Sequence, residues 1–281
     1  MDWGGFSSVE HTQHRKKDRE LTIMISSYYV MGRKSGNVYK KRKQDRMRRQ
    51  EELAERFRVS YKISSKHFEN CNVRKRIAEN RKIGPFVATS GLVLPYYLNV
   101  STNFLDREIA GKINEVMFRM LKMTVVPALI KTFPDAIKRG TILVGPEMAG
   151  GVMVSQLCVH PHISELGVDL VYMRKQRKTS GTCQQLEGPK HITSRNQSSP
   201  LAYAIWIDDC MSSGSSSVEG KKTLKRDYNI DVKACVYLID RHIDRASMSA
   251  DRLANIFTAL RGVEIYAMFD MDDITKEIAL A

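Results

Sequence analysis

Short apolar runs alternate with segments of helical spacing along the chain from residue 83 onward. Residues 109–121 place apolar side chains at helical spacing behind Asp106, and residues 154–159 continue as a second predicted helix. The runs of strand length are residues 141–144, 168–173, 204–207, 234–239 and 262–268. Strands that alternate with helices predict an α/β fold with a mostly parallel sheet flanked by helices.

The segments after four of these strands are polar, glycine-rich or charged. They are GPEMAGG (145–151), RKQRKTSGTCQQLEGP (174–189), DDCMSSGSSS (208–217) and IDRHIDR (239–245). The carboxyl ends of parallel strands meet at one edge of a sheet, and ligands of such folds bind there. We therefore expect these four loops to form a single cleft.

The loop DDCMSSGSSS combines two acids with a turn of small residues. Backbone amides and hydroxyls at the start of a helix bind a monophosphate without a positive side chain. The residues concerned are Ser212, Ser213, Gly214, Ser215 and Ser216. Asp208 and Asp209 can accept from adjacent hydroxyls, as on a ribose, and the cations of residues 174–178 can hold further negative charge. The pattern predicts a ligand built on ribose 5-phosphate.

The stretch AIWIDDCMSSGSSS (204–217) resembles the phosphoribosyl pyrophosphate-binding motif of the type I phosphoribosyltransferases. Within that superfamily the chain is similar to orotate phosphoribosyltransferase over about residues 83–275. FVATSGLVLPYYLN (86–99), GPEMAGG, RKQRKTSGTCQQLEGP and LIDR (238–241) also carry the resemblance. The chain departs from the family at Thr89, where Lys is common, at Ala149, which is Lys in some members, and at Ser180, which replaces a His.

This resemblance implies a Mg²⁺-dependent glycosyltransferase that uses phosphoribosyl pyrophosphate and orotate or a related pyrimidine-like base. It implies that Asp208 and Asp209 hold the ribose hydroxyls, directly or through Mg²⁺, and take part in catalysis. The pyrophosphate would face Glu147, Ala149, Gly150 and Gly151, and the catalytic cations would be Arg174, Lys175 and Lys178. Tyr97 would stack on the base and Arg241 would pair with its carboxylate. The resemblance also implies a homodimer.

Basic residues are concentrated before residue 83. Of the formal net charge of +14, roughly +12 lies within residues 1–82, from about 22 Lys and Arg against about 10 Asp and Glu. This shift predicts a basic, mainly helical N-terminal region (1–82) followed by a phosphoribosyltransferase-like domain (83–281). The densest segment, YKKRKQDRMRR (39–49), contains Lys40, Lys41, Arg42 and Lys43 and could neutralise phosphates of DNA or RNA.

The segment QEELAERFRVSYKISSKHFE (50–69) resembles a helix-turn-helix. Leu53, Ala54 and Phe57 form one apolar helical face, and a turn follows at residues 59–60. The second helix, residues 61–68, would then expose Lys62 and Lys66 toward a major groove. The competing interpretation is an amphipathic helical cap on the following domain.

The cysteine content and the hydropathy of the sequence indicate the cellular compartment of the protein. The five cysteines are widely spaced without a CxxC pair, which predicts reduced thiols. The chain has no apolar run of about 18 residues, and its N-terminal segment lacks the apolar run of a signal peptide. We expect a cytoplasmic protein that does not contact a membrane.

Three functions remain open at this point. The intact Asp208-Asp209 pair favours an enzyme or a sensor that binds phosphoribosyl pyrophosphate. The basic N-terminal region favours a nucleic-acid-binding regulator or effector whose second domain senses nucleotide precursors. It equally favours a non-catalytic subunit of a nucleoprotein assembly that retains the fold without turnover.

Salt dependence tests the basic segment. If residues 39–66 bind a duplex through about six phosphates, log affinity should fall against log salt concentration with a slope of about −5. Neutralising Lys40, Lys41, Arg42 and Lys43 together should flatten that slope by up to about four units, because fewer counterions are released. Fluorescence anisotropy at several salt concentrations measures the slope. Binding of phosphoribosyl pyrophosphate is the control, and an unchanged slope would contradict the role of this segment.

Overall fold

The computed structural model describes residues 61–62, 71–87, 93–181, 184–193, 202–241 and 248–280. The strands in these ranges are β1 (Tyr61–Lys62), β2 (Arg81–Val87), β3 (Val93–Leu98), β4 (Thr141–Pro146), β5 (Val168–Met173), β6 (Leu186–Glu187), β7 (Tyr203–Met211), β8 (Asp231–Asp240) and β9 (Glu264–Asp270).

The α-helices of the same ranges are α1 (Cys71–Glu79), α2 (Val100–Asn103), α3 (Arg107–Met120), α4 (Val126–Thr132), α5 (Ala136–Arg139), α6 (Ala149–Cys158), α7 (Lys190–Thr193), α8 (Ser215–Tyr228), α9 (Ala250–Ala259) and α10 (Met271–Leu280). A π-helical segment, Leu121–Val125, joins α3 to α4, and a 3-10 helix, Ile163–Leu166, precedes β5. None of the described helices is long and apolar enough to cross a membrane.

Seven of the described strands form one sheet in the order β1-β9-β8-β7-β4-β5-β6. All neighbours pair in parallel except β6, which runs antiparallel to β5 at the edge. The five strands predicted from apolar runs are present, and the last begins at Glu264 because Gly262 occupies a turn with a φ of 77°. The predicted α/β class with a mostly parallel sheet flanked by helices is confirmed.

Both faces of the sheet are covered, which explains why the predicted strands are almost continuously apolar. On β7, Ile205 and Ile207 point into the layer that contains α3 and α6. Trp206 belongs to the cluster on the opposite face, together with Leu224 of α8 and Leu253 of α9. The central strands are thus buried on both faces of the sheet.

Helix α3 shows how the local sequence sets a boundary. Asp106 caps the helix by accepting hydrogen bonds from the backbone amides of Glu108 (3.0 Å) and Ile109 (3.2 Å). Ile109, Ile113 and Met117 recur at helical spacing and are buried. The helix predicted over residues 109–121 is therefore confirmed, with its first residue at Arg107.

The residues before the predicted boundary at 82 include elements of the folded core. Val73 and Ile77 of α1 are buried with Ile274 of α10 in the same apolar cluster. Tyr61 and Lys62 form β1, which pairs in parallel with β9. The recognition helix expected over residues 61–68 is therefore wrong at its first two residues, and residues 63–68 lie outside the described ranges. The division into domains at residue 82 stays a prediction.

An antiparallel hairpin of β2 and β3 lies outside the main sheet. Its register is interrupted between Ile83 and Phe86, where Gly84 has a φ of 145° and Pro85 has no amide to donate. Ile83 and Val87 expose 81% and 73% of their surface, so this hairpin carries an apolar outer face.

Two glycines on helices provide a matched test of packing. A Cβ on Gly220 of α8 would lie 2.2 Å from the buried Trp206 ring, whereas a Cβ on Gly111 of α3 would meet nothing within 4 Å. Gly220→Ala should lower the free energy of unfolding by about 1–3 kcal/mol through overpacking. Gly111→Ala should raise it by about 0.5–1 kcal/mol because alanine favours helix. Urea denaturation distinguishes the two, and equal effects would contradict the close helix–sheet contact.

Candidate active site

The strand order creates a crevice between β4 and β7, where the connections to the next strands run in opposite directions. β4 and β7 are adjacent and parallel, but β4 connects onward to β5 on one side while β7 connects to β8 on the other. The two connections diverge above the carboxyl ends of these strands, which is where ligands bind in doubly wound sheets. Residues 147–151 follow β4, and residues 212–216 follow β7. Two of the four predicted loops therefore meet at this point.

Asp208 and Asp209 lie where β7 emerges from the core. Ile207 is fully buried, while both aspartates are half-buried. The Asp209 amide donates to Asp208 Oδ1 (3.0 Å), and the Ser216 hydroxyl makes a long hydrogen bond to Asp208 Oδ2 (3.5 Å). Burial, followed by the charge of Asp209, raises the pKa of Asp208 to about 8. Burial also raises the pKa of Asp209, and the charge of Arg241 opposes that rise.

The loop after β7 presents the amino end of a long helix. Gly214 caps α8 in the left-handed conformation, with a φ of 83°, which is why a glycine is required there. Ser213 Oγ lies 2.8 Å from Ser215 Oγ and accepts from the Ser215 amide (3.3 Å). The first turn of α8 contains no acidic residue. Its amides and hydroxyls, together with the helix dipole, favour an anion at this position.

Glycines in the loop after β4 allow α6 to pack directly on the sheet. A Cβ on Gly150 would lie 2.3 Å from the Ile207 carbonyl oxygen of β7. A Cβ on Gly151 would lie 2.2 Å from the Tyr172 ring of β5. α6 begins at Ala149, so Ala149, Gly150 and Gly151 form its first turn beside the aspartate-bearing strand. The two glycines thus allow α6 to pack closely on the sheet.

Glu147 ties the loop after β4 to the loop after β5. Its amide donates to the Met173 carbonyl oxygen (2.8 Å), and its Oε2 accepts from the Lys175 amide (2.9 Å). A cavity of about 710 Å³ opens between the two loops, and its lining includes Glu147, Arg174, Lys175 and Lys178. The structure therefore places the predicted catalytic cations together with the start of the predicted pyrophosphate loop.

The cations of this cavity differ in their partners. Arg174 Nε lies 3.0 Å and Lys178 Nζ lies 3.4 Å from the same oxygen, Glu187 Oε1. The Arg174 guanidinium also lies 5.6 Å from the centroid of the Tyr172 ring. Lys175 and Arg177 make no ion pair with an acid among the described residues. The cavity thus contains two cations paired with Glu187 and two whose side chains make no ion pair within the described ranges.

The predicted base-binding residues are placed less completely. Arg241 directly follows β8, and its amide donates to the Met211 carbonyl oxygen of β7 (2.9 Å), which keeps it beside the aspartate strand. Tyr97 lies on β3, is 43% exposed, and its ring centroid is 5.8 Å from that of Phe86. Binding of a base by these two residues stays a prediction.

The predicted nucleic-acid contacts lie largely outside the described ranges. Lys40, Lys41, Arg42, Lys43 and Lys66 are not in them, and only the backbone of Lys62 is described, within β1. Their role stays a prediction.

Sequence reasoning missed residues that support the site from behind. Glu187 lies in the segment RKQRKTSGTCQQLEGP. Its pairing with Arg174 and Lys178 depends on the antiparallel strand β6, which is only two residues long and therefore has no recognisable sequence pattern. Ser217 and Tyr237, both buried, are hydrogen-bonded to each other through their hydroxyls, which connects the first turn of α8 to β8. A serine in the first turn of a helix and a tyrosine in a strand have no sequence pattern that pairs them.

No protein-family model and no curated protein matches the sequence. Solved phosphoribosyltransferase structures are similar in fold. A UMP synthase from Leishmania donovani is 16% identical, with 74% of this chain and 38% of that chain covered and a TM-score of 0.46. An orotate phosphoribosyltransferase from Mycobacterium tuberculosis H37Rv is 15% identical, with 72% and 98% covered and a TM-score of 0.47. This chain therefore spans well under half the length of the Leishmania protein.

A third similar structure is an adenine phosphoribosyltransferase from Trypanosoma brucei in complex with AMP, pyrophosphate and ribose-5-phosphate, with 14% identity, 75% and 84% coverage and a TM-score of 0.47. Similarity at this level carries no inference about the site. The sheet order, with an acidic strand end and a serine loop at the switch point, agrees with the α/β architecture predicted from the sequence.

The raised pKa of Asp208 predicts a pH-dependent stability. In the unfolded chain an aspartate has a pKa of about 3.9, so folding strengthens proton binding here. The stabilising contribution is present at low pH and is lost as pH rises toward about 8. Asp208→Asn should therefore raise the melting temperature of the ligand-free protein by a few degrees at about pH 8.5, and by less at about pH 5.

Thermal unfolding by circular dichroism measures this difference. Glu219→Gln, which removes an exposed carboxylate from α8, is the control and should leave the pH dependence unchanged. If the melting temperatures of the wild type and of Asp208→Asn change with pH in parallel, the raised pKa of Asp208 would be contradicted.

Proposed function

We propose that this protein binds phosphoribosyl pyrophosphate and transfers its phosphoribosyl group to or from orotate or a related base. The observation that carries the proposal is the combination at one switch point of two carboxylates, a helix amino end lined by serines, and a basic cavity. Each part suits a different portion of one ligand. A phosphate site alone would not require the carboxylate pair.

The ribose and its 5-phosphate match the loop after β7. The 2′- and 3′-hydroxyls of a ribose are adjacent donors, and Asp208 and Asp209 are adjacent acceptors at the end of the strand. The 5-phosphate would occupy the amino end of α8, where amides and serine hydroxyls replace positive side chains. The ribose hydroxyls and the 5-phosphate are close together in the ligand. Residues 209 and 212, which would contact them, are likewise close together in the chain.

The pyrophosphate matches the basic cavity. Arg174, Lys175 and Lys178 line it together with Glu147 and Met148, and α6 begins directly after Met148. In the proposed reaction the bond between the anomeric carbon and the pyrophosphate oxygen breaks, and pyrophosphate leaves with the electron pair. A ring nitrogen of the base forms the new bond to that carbon. These cations would stabilise the negative charge that develops on the leaving oxygen.

A divalent cation fits this site through the ligand rather than through a closed protein cage. No group of three or more potential ligands from His, Cys, Asp and Glu occurs among the described residues. Two half-buried carboxylates that repel each other do suit a hard cation, and Mg²⁺ is commonly held by one or two carboxylates with waters and substrate phosphates. Asp208 and Asp209 would hold Mg²⁺, which would supply charge neutralisation for the pyrophosphate.

The base would lie between the hairpin and the end of β8. Tyr97 offers a half-exposed aromatic ring for stacking, and Arg241 offers a guanidinium for a carboxylate such as that of orotate. Homodimer formation, implied by the family resemblance, belongs to the same proposal.

A second candidate function is a regulator that senses phosphoribosyl pyrophosphate and binds DNA or RNA. The observation in its favour is the excess of roughly +12 charges within residues 1–82. It requires the same ligand site but no turnover.

Replacing both carboxylates tests the ribose site. Asp208→Asn with Asp209→Asn should weaken phosphoribosyl pyrophosphate by at least about a hundredfold, because two charged hydrogen-bond acceptors worth about 1.5–3 kcal/mol each are lost. Isothermal titration in magnesium-containing buffer measures the affinity, and Glu219→Gln is the control. The fold should persist, since removing two like charges relieves repulsion. Wild-type affinity in the double variant would rule out this site.

Turnover separates the enzyme from the sensor. Release of pyrophosphate is followed after the protein, phosphoribosyl pyrophosphate and orotate are mixed, with omission of orotate as the control. Orotate-dependent release supports transfer, and tight binding without release under these conditions supports the regulator.

A further inference from the structure

Glu187 occupies a fixed position next to the basic cavity. It lies on β6, which pairs antiparallel with β5 so that Glu187 is opposite Tyr172. One of its oxygens, Oε1, accepts from Arg174 Nε at 3.0 Å and lies 3.4 Å from Lys178 Nζ. The hydrogen bond from Arg174 is the main reason that the pKa of Glu187 is lowered, so the carboxylate is ionised at neutral pH. A single anion thus holds two of the predicted catalytic cations.

The contact with Glu187 leaves the two terminal nitrogens of Arg174 available. Glu187 is not among the residues that line the cavity, whereas Arg174 and Lys178 both are. Arg174 uses Nε for Glu187, and its guanidinium lies over the Tyr172 ring. Its two terminal nitrogens make no hydrogen bond within the described part of the chain. Glu187 therefore restrains the side chain from outside the cavity and leaves a two-nitrogen fork for a bound anion.

Backbone hydrogen bonds hold the same arrangement in register. The Arg174 amide donates to the Gln185 carbonyl oxygen (2.8 Å), and the Lys178 amide makes a longer bond to the Gln184 carbonyl oxygen (3.5 Å). The Gln185 side-chain amide donates back to the Arg174 carbonyl oxygen (3.0 Å). Residues 174–178 thus run beside residues 184–187, and hydrogen bonds connect the basic loop to β6 and the residues before it.

We propose that Glu187 is a positioning residue that preorganises Arg174 and Lys178 for a diphosphate group. This inference rests on the proposed function and assigns a role to a residue that does not itself contact the ligand. Two opposite effects are expected of a carboxylate near an anion site, namely orientation of the cations and repulsion of the ligand. Repulsion between partly exposed charges is screened by water and salt, whereas loss of orientation frees two long side chains. Orientation therefore dominates.

The test measures binding of inorganic pyrophosphate by isothermal titration in magnesium-containing buffer. Glu187→Ala should weaken pyrophosphate binding by about tenfold. Removing the hydrogen-bond partner of a metal ligand lowers metal affinity by about 10- to 100-fold, and we expect a loss at the lower end of that range here. Glu187→Gln keeps an acceptor oxygen for Arg174 and should recover part of that loss. A purely structural role would not be rescued in this graded way.

Glu165→Ala is the matched control. Glu165 also holds two basic groups, since Lys122 Nζ lies 2.5 Å and His162 Nδ1 lies 2.7 Å from its carboxylate, but it lines no part of the basic cavity. Its replacement should leave pyrophosphate binding unchanged. Urea denaturation of every variant confirms that the comparison is between folded proteins, and Glu187→Gln serves alone if Glu187→Ala does not fold.

The same substitution in an Arg174→Ala, Lys178→Ala background tests the route of the effect. If Glu187 acts through these two side chains, Glu187→Ala should change affinity there by less than about twofold. A further tenfold loss in that background would overturn the inference. So would tighter binding by both Glu187 variants, which would show repulsion to dominate, or wild-type affinity in both.

The outcomes also separate this inference from the function on which it rests. Wild-type protein that does not bind pyrophosphate would overturn the proposed function, and the inference with it. Wild-type protein that binds pyrophosphate while both Glu187 variants bind equally well would overturn the inference alone.

Discussion

The candidate site depends on two like charges held side by side at the end of a buried strand. Asp208 and Asp209 continue β7 beyond Ile207, so their backbone positions are set by pairing with β8 rather than by the loop that follows. Burial and mutual repulsion raise the pKa of Asp208 to about 8, which makes the empty site unfavourable for two full charges. Donor hydroxyls or a cation would relieve that condition. Under the proposed function, the stability of the ligand-free protein and its affinity for a ligand are therefore opposed at the same two residues.

Close approach of helices to this strand maintains the geometry. Gly150 allows α6 to reach the backbone of β7, and Gly220 allows α8 to lie against the Trp206 ring. Any side chain at these positions would move a helix whose amino end faces the crevice. The amino ends of α6 and α8, which we propose bind anions, are consequently positioned by close core packing.

The basic side of the crevice is organised differently. Arg174 and Lys178 are restrained by Glu187, while Lys175 is held only through its backbone amide by Glu147. One side of the crevice is thus formed by the ends of buried elements and the other by a loop fastened to a two-residue edge strand. Under the proposed function, the ribose would lie against the ends of the buried elements and the leaving group would lie against this loop.

Much of the fold and the chemistry of the crevice could be predicted from the sequence. Apolar runs of strand length identified the central strands because those strands are buried on both faces and admit few polar residues. The acids after residue 207 and the serines around Gly214 were recognisable because polar residues directly follow a buried apolar run and small hydroxyl residues suit the amino end of a helix. The parallel arrangement then implied that the loops share one edge.

Tertiary structure alone decided the elements whose local sequence is short or ambiguous. Tyr61 and Lys62 lie in a segment with helical spacing but form a strand, because the edge of β9 offers hydrogen bonds that local propensity does not report. The partners of Arg174 and Lys178 were equally unpredictable, since Glu187 reaches them only after β6 folds back on β5. Sequence patterns determine which residues are buried and which chemistry is available. Pairing between distant segments determines which charges meet, because that depends on contacts that no local pattern encodes.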